Sequence, residues 1–378
     1  MALLFYPEAV GEERRIRDRV RSLAAQHLRP FALEDDALCR FRREAFEAFA
    51  SEGLASVVTP KTYGGLGLPY ACYYMAMSEI ARASMSMAVT VGVNNLPQGA
   101  LLAYANEDQK KKYIPPLCNG KAIGAFSLSE PGSGSDAASL RTKAEAKAGG
   151  YVLNGTKCWC STAGHADLYL VMARTAEHKT GGISAFIVDK DTPGLRFGKQ
   201  ESKLGLAASP LGELIFEDCF IPTSQRIGGE GQGLGVALSQ LDAGRIVIAA
   251  VGIGLAEETL NRLWANFSAL TPEATDKNQF AEFYARLQAL KSLLHVAADA
   301  KDRNTPTTTL AAQLKLLSSD LAMEVTTHAV SALGPRGVLV QNEMERLFRD
   351  AKALQIVEGT NQIQKLVLVR EMDKAFKP

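Results

Sequence analysis

The segment "ALQIVEGTNQIQKLVL", Ala353 to Leu368, places one acid, Glu358, before Gly359 and Thr360 in an otherwise apolar stretch. Two readings of that acid are open. It caps the helix that follows, or it is a carboxylate set among packing residues for chemistry. Three further constellations bear on the choice.

"FSLSEPGSGSD", Phe126 to Asp136, ends a strand in Pro131, Gly132 and Gly134, with Ser127, Ser129, Ser133 and Ser135 around them. Such a loop offers backbone N–H groups and hydroxyls with little obstruction, enough to hold a phosphate or a polar heterocycle. It reads equally as a plain Ser/Gly turn. In "KCWCSTAG", Lys157 to Gly164, strand periodicity puts Cys158 and Cys160 on one face and Trp159 on the other. A metal held by both thiols and His165 would need a fourth ligand, and no second cysteine pair exists, so no metal is expected. Trp159 beside a planar ligand, with Ser161 donating a hydrogen bond, is the better reading. In "LDAGRIVIAA", Asp242 and Arg245 sit three apart, expected in the first turn of an apolar helix. They form a capping ion pair or a polar anchor for a ligand.

These groups need elements to position them. Residues 1–120 read as helical, with Ile16, Val20, Leu23 and Leu28 on one stripe of the first helix. "YGGLGL", from Tyr63, is a loop and lacks the Lys-Ser/Thr ending of a phosphate loop. Residues 121–230 switch to strand periodicity in "AIGAFSLSE", "GYVLNGTKCWCS", "LYLVMART", "GISAFIVDK" and "GELIFEDCFI". No helical pattern separates these runs, so an antiparallel sheet or barrel is expected. Residues 231–378 return to long helices. The fold class is α+β and mostly α: an N-terminal helical domain, a middle antiparallel β domain and a C-terminal helical bundle.

The composition agrees with a large packed core: 47% of the 378 residues are hydrophobic and 22% charged. A net charge of +1, from 42 basic and 41 acidic residues, gives no field of one sign for nucleic acid or an anionic membrane. The longest clean apolar run, Ile246 to Ala256, is too short to span a bilayer and reads as a buried helix. The opening "MALLFYPEAVGEERRIRDRV" has no basic region before an apolar run, so a secretory signal is not expected. Six cysteines in a chain that needs no staples read as free thiols in a reducing cytoplasm.

"SEPGSGSD", "NGTKCW", "GEGQGLGVALSQLDAGR" and "RDAKALQIVEGTNQIQ", in this order and over nearly the whole chain, resemble the acyl-CoA dehydrogenase family. The resemblance implies a C-terminal domain of four helices, FAD at a subunit interface, and a homo-oligomer, tetramer or dimer. By position it implies flavin contacts from Phe126, Leu128, Ser129, Gly134, Ser135, Trp159, Ser161, Gly334, Thr360 and Gln362. Ser135 also touches substrate, as do Asp242, Arg245 and Gly359. Glu358 is the implied base, taking the α-proton of an acyl-CoA while hydride leaves the β-carbon for the flavin. Such a base needs a dry setting, because burial raises a carboxylic acid toward the working pH. Some family members carry the base just before the helix arginine; here that position is Gly244. Electron-transfer flavoprotein is the implied partner. "MAVTVGVNN", Met87 to Asn95, resembles the pocket-floor helix of short-chain members. An acyl-CoA oxidase and a non-catalytic, flavin-poor relative are the alternatives.

The sequence also departs from the family. Its usual Arg-x-x-Phe-Gly is missing from "SALTPEATDKNQFAEFYARLQ", and its Gln-x-x-Gly-Gly-x-Gly is replaced by "SALGPRGV", Ser331 to Val338. Both stretches would serve the ADP half of the cofactor, so a weaker hold on FAD is expected.

Overall fold

The computed structural model describes residues 9–266 and 277–376. "SALTPEATD", Ser268 to Asp276, the first part of the divergent stretch, lies outside the described residues.

The N-terminal region folds as α1 (Gly11–His27), α2 (Ala32–Ala37), α3 (Arg43–Ser51), α4 (Tyr70–Ala83), α5 (Met85–Tyr104) and α6 (Glu107–Cys118). The α1 stripe buries Ile16, Val20 and Ala24, while Leu23 stays partly exposed. Local chemistry sets the helix starts. The Ser84 hydroxyl accepts from Met87 N–H to cap α5. Asn106 and Gln109 exchange side-chain and backbone bonds in a capping box that opens α6.

The middle region is an eight-stranded sheet: β1 (Gly124–Ser127), β2 (Lys143–Lys147), β3 (Gly150–Ser161), β4 (Leu168–Arg174), β5 (Ile183–Asp189), β6 (Leu195–Gln200), β7 (Leu211–Pro222) and β8 (Arg226–Ile227). The strand order is β6-β7-β3-β2-β4-β5-β8, with β1 paired to β4. Most neighbours are antiparallel, as expected. The β1–β4 pair is parallel, and β2 meets β4 in parallel at Lys143 and Arg174. The returning strands β2 and β3 separate β1 from β4 in sequence, which allows that crossover. β2 went unread in the sequence because "KAEAK" turns only Ala144 inward.

The C-terminal region contains α7 (Gly233–Asn266), α8 (Lys277–Asp302), α9 (Thr308–Leu333), α10 (Met344–Leu354) and α11 (Asn361–Ala375). Helix α7 spans 34 residues and is long and apolar enough to cross a membrane by composition, yet it is mostly buried. It begins well before Asp242, so Asp242 and Arg245 lie inside the helix and do not cap it. The early start depends on Gly233: a Cβ there would stand 2.4 Å from the Ser184 carbonyl carbon. α7 packs against α4, α5, α8 and α9. Against α5 it closes at two points seven residues apart on both helices. A Cβ on Gly92 would lie 2.9 Å from Val247, and one on Gly99 would lie 2.5 Å from Gln240.

Candidate active site

The turn after α10 carries Glu358 at φ 55° and Gly359 at φ 87°, both left-handed. That conformation costs a non-glycine residue about 1–2 kcal/mol, so other contacts must hold it. The Glu358 carbonyl accepts from Arg245 Nε at 3.4 Å and from Gln364 Nε2 at 3.2 Å. Gln364 Nε2 also reaches the Gly359 carbonyl at 2.8 Å, and a Cβ on Gly359 would stand 2.9 Å from that nitrogen. Glycine is thus needed at 359 for both φ and space. Asn361 closes the turn by donating its N–H to Gln355 O at 3.0 Å. Its side chain donates to Asp320 at 2.7 Å and accepts from Lys315 Nζ at 2.7 Å, fastening the turn to α9.

Glu358 does not cap the next helix. Thr360 does, its hydroxyl accepting from Ile363 N–H at 3.3 Å. The Glu358 carboxylate turns toward α7 and lies over Gly244, with Oε2 enclosed and without a hydrogen-bond donor. Burial pushes its pKa up to about 7, while Arg245 and Lys315 act to lower it. Lys315 has no exposed surface; burial lowers its pKa to about 8 against the pull of Asp320 and Glu358. Arg245 Nη1 pairs with Asp242 at 2.6 Å, and Asp242 accepts from the Thr308 hydroxyl at 2.6 Å.

The middle region brings two further groups side by side. Beyond β1, Ser129 O accepts from Cys158 N–H at 2.9 Å. Phe126 O lies 3.7 Å from the Cys160 thiol. The stretches Phe126–Ser129 and Trp159–Ser161 are therefore neighbours. Cys158 and Cys160 are buried while Trp159 is 58% exposed, at φ 57° where the β3–β7 register shifts. Among the described residues no three His, Cys, Asp or Glu side chains are grouped to hold a metal. A buried ion pair stiffens the loop: Lys157 Nζ meets Glu130 Oε1 at 2.8 Å and Leu128 O at 3.0 Å. Glu130 also accepts from the Arg141 and Thr142 N–H groups. Burial raises its pKa, but Lys157 together with the hydrogen bonds from Thr142 and Arg141 outweighs that and holds it below the ordinary value. Gly134 and Ser135 are exposed at the loop tip.

Phe126 and Leu128 pack in the same apolar cluster as Val236, Ala237 and Leu241 of α7. Leu241 is one turn before Arg245, so α7 connects the middle region to the Glu358 turn. Two sequence-derived positions stay apart from this group. Gln362 is exposed on α11. Gly334 follows the last residue of α9, about 28 Å along the helix from Lys315. Sequence reading passed over Lys315, Asn361, Gln364, Glu130 and Lys157. Lys157, Glu130, Asn361 and Gln364 lay inside quoted motifs but drew no role of their own; Lys315, in "LAAQLKLLSSD", showed itself only as a charge on an apolar helix face.

Three family profiles match the chain: "Acyl-CoA dehydrogenase, N-terminal domain" at residues 11–121, "middle domain" at 125–219 and "C-terminal domain" at 231–372. The chain is 38% identical over 366 residues to an acyl-CoA dehydrogenase of Bacillus subtilis (strain 168), covering 94% of this chain and 97% of the relative. It is 36% identical over 371 residues to the mitochondrial short-chain specific acyl-CoA dehydrogenase of Mus musculus, covering 96% and 90%. The structure of butyryl-CoA dehydrogenase from Megasphaera elsdenii superposes with a TM-score of 0.93 at 31% identity, covering 98% of this chain and 100% of that one. With all three profiles matched and the helix–sheet–helix order in place, the chain belongs to the acyl-CoA dehydrogenase family of oxidoreductases.

Proposed function

We propose that this protein catalyses FAD-dependent α,β-dehydrogenation of an acyl-CoA thioester, with Glu358 as the base. The observation that carries the reading is the Glu358 carboxylate: enclosed at Oε2, raised to about 7, and steadied by Arg245 at its own carbonyl. A carboxylate with that acidity is suited to accept a proton near neutral pH.

The chain's residues fit a flavin. Trp159 offers an exposed indole beside Ser161, Phe126 and Ser129 lie on the adjoining segment, and the Ser127 hydroxyl is buried without a partner. Around Gly132 and Gly134 an added Cβ would meet nothing within 4 Å, so the loop backbone is open to a ligand. Phe126, Leu128, Ser129, Gly134, Ser135, Trp159, Ser161 and Thr360 would hold FAD, while Gln362 and Gly334, which lie apart from them within one chain, would reach a cofactor only across a subunit interface. Bound FAD supplies the hydride acceptor.

The remaining steps belong to the protein. Glu358 takes the α-proton at its carboxylate. The Glu358 N–H donates to no described residue and is left to bind the thioester oxygen as charge builds there. Asp242 and Arg245 line the CoA approach, with Ser135 and Gly359 as further substrate contacts. The tight meeting of Gly92 with Val247 leaves little room between α5 and α7, which supports short or medium straight acyl chains.

We further place the domain boundaries near residues 120 and 230, the protein in the cytoplasm, electron-transfer flavoprotein as the acceptor, and the working form as a homo-oligomer. Anaerobic mixing of the FAD-loaded protein with acyl-CoAs of four to sixteen carbons tests the reaction. Loss of visible flavin absorbance is expected with the shorter substrates. A flavin that no acyl-CoA reduces would refute the reading.

A further inference from the structure

One turn of α10 touches a middle-region loop at three points. Asp350 Oδ1 accepts from Leu206 N–H at 2.6 Å, and Asp350 is only 2% exposed. Arg349 Nη1 donates to Leu204 O at 3.1 Å. Between them, Gly205 lies on the α10 backbone so closely that a Cβ would stand 2.3 Å from Arg349 O. Leu206 takes φ 56°, an unfavourable value for leucine. The loop is therefore bent to meet Asp350.

Both ends of this junction lead to the site. On one side Leu206 O accepts from Ser209 N–H at 3.0 Å, and Pro210 O accepts from Thr162 N–H at 2.8 Å. Leu211 and Gly212 then pair with Ser161 and Cys160, next to Trp159. On the other side α10 runs one turn from Asp350 to Leu354. The Ala353 carbonyl accepts from the Ile356 and Val357 N–H groups, and Glu358 follows. The same turn of α10 is tied to the N-terminal region, where Arg349 Nη2 meets Asp36 at 2.7 Å. Around the Asp350 carboxylate stand Arg346, with Nη1 at 3.7 Å from Oδ2, and the charges of Arg349 and Asp36.

We propose that Asp350 is a positioning residue that holds the Trp159–Thr162 segment and the Glu358 turn in a fixed relation to each other. The functional meaning of that relation rests on the reading above, in which both segments face one substrate. The coupling itself is a property of the chain and can be measured without the reaction.

Hydrogen exchange by mass spectrometry on the full-length apo-protein is the test, comparing wild type, Asp350→Ala and Asp350→Asn. Alanine leaves Leu206 N–H without an acceptor; asparagine keeps one. Asp350→Ala should speed exchange about tenfold or more in peptides covering 159–163 and 355–361 as well as 204–211. Asp350→Asn should keep 159–163 and 204–211 near wild-type protection. In the FAD-loaded enzyme Asp350→Ala should lower kcat at nearly unchanged KM, and Asp350→Asn should recover most of it. Faster exchange confined to 204–207 and α10 would overturn the proposal. So would equal loosening of all segments in both variants, which marks a general packing role. Absence of acyl-CoA oxidation by the wild type, with the exchange pattern as expected, would sink the proposed reaction and leave the coupling standing.

Discussion

The carboxylate of Glu358 occupies the space a side chain at Gly244 would need: a Cβ there would lie 2.8 Å from Oε2 and 3.0 Å from Cδ. Two positions 114 residues apart in sequence, 244 and 358, thus address one point in space. Gly244→Ala should fold normally, since only the end of a flexible side chain must yield. The displaced carboxylate should lower kcat by about ten- to a hundredfold. The exchange Glu358→Gly with Gly244→Glu should regain measurable turnover over Glu358→Gly alone, because both backbones reach the same place. Steady-state assays with an artificial acceptor check both.

Glu358→Gln should bind flavin and lose nearly all turnover, by about 10²–10⁴-fold or more. Wild-type kcat/KM should rise with pH through an inflection near 7, the value to which burial pushes Glu358. The stability effect has the opposite sense. A carboxyl raised in the folded state favours folding below its unfolded value of 4.5, and that contribution is lost as pH rises through about 7. Glu358→Gln should therefore melt higher than wild type at pH 8, and the gap should close toward pH 5. Thermal melts across that range read the sign directly.

Arg245→Ala removes the partner of Asp242 and one of two donors to the Glu358 carbonyl. KM for acyl-CoA should rise. The acid limb of the pH profile should also move upward, because Arg245 acts to lower the Glu358 pKa. Flavin content should change little. A variant that loses flavin and keeps its KM would assign the pair to the cofactor or the fold.

Lys315→Met should act on the base from below. Lys315 lowers the pKa of Glu358 and bonds to Asn361, which closes the turn. Its loss should shift the kcat/KM inflection to higher pH and reduce kcat more than KM. An unchanged inflection would show that Lys315 serves packing alone.

FAD should leave this protein more readily than it leaves typical family members. No Arg-x-x-Phe-Gly occurs between Asn261 and Lys291. A charge-assisted contact to phosphate contributes about 1.5–3 kcal/mol, so its loss weakens binding by about one to two decades. Arg336, in the exposed turn after α9, is the nearest basic candidate to compensate. Titration of apo-protein followed by flavin fluorescence measures this. A low-nanomolar Kd unchanged in Arg336→Ala would show that other residues hold the cofactor.

The helix–sheet–helix order was legible because periodicity changes twice along the chain. Glu358 stood out because an acid in an apolar stretch is conspicuous in one dimension. Its supports were not. Gln364 reads as an ordinary polar helix residue until the turn folds back and sets its amide under two carbonyls. Lys315 reads as a solvated charge until α9 is packed against Asn361. The start of α7 was misjudged for a related reason. Gly233 and Gly235 look like helix breakers, yet Gly233 lets the helix begin directly on the Ser184 backbone. Such contacts pair residues distant in sequence, and no local pattern encodes them.

Helix α7 belongs to the C-terminal family profile, yet it packs against α4 and α5 of the N-terminal one, with Gly92 and Gly99 fitted to Val247 and Gln240. The segment boundaries recognised along the sequence are therefore not boundaries between independent folding units. A fragment ending before Gly231 would leave the α4 and α5 faces that meet α7 open to water, and such apolar surface drives aggregation. Recombination between relatives carries the same constraint. A chimera that takes its first half from one member and its second from another must keep small residues at 92 and 99 matched to the side chains they receive. Inheritance at this junction works by pairs of positions, so the two halves must change together.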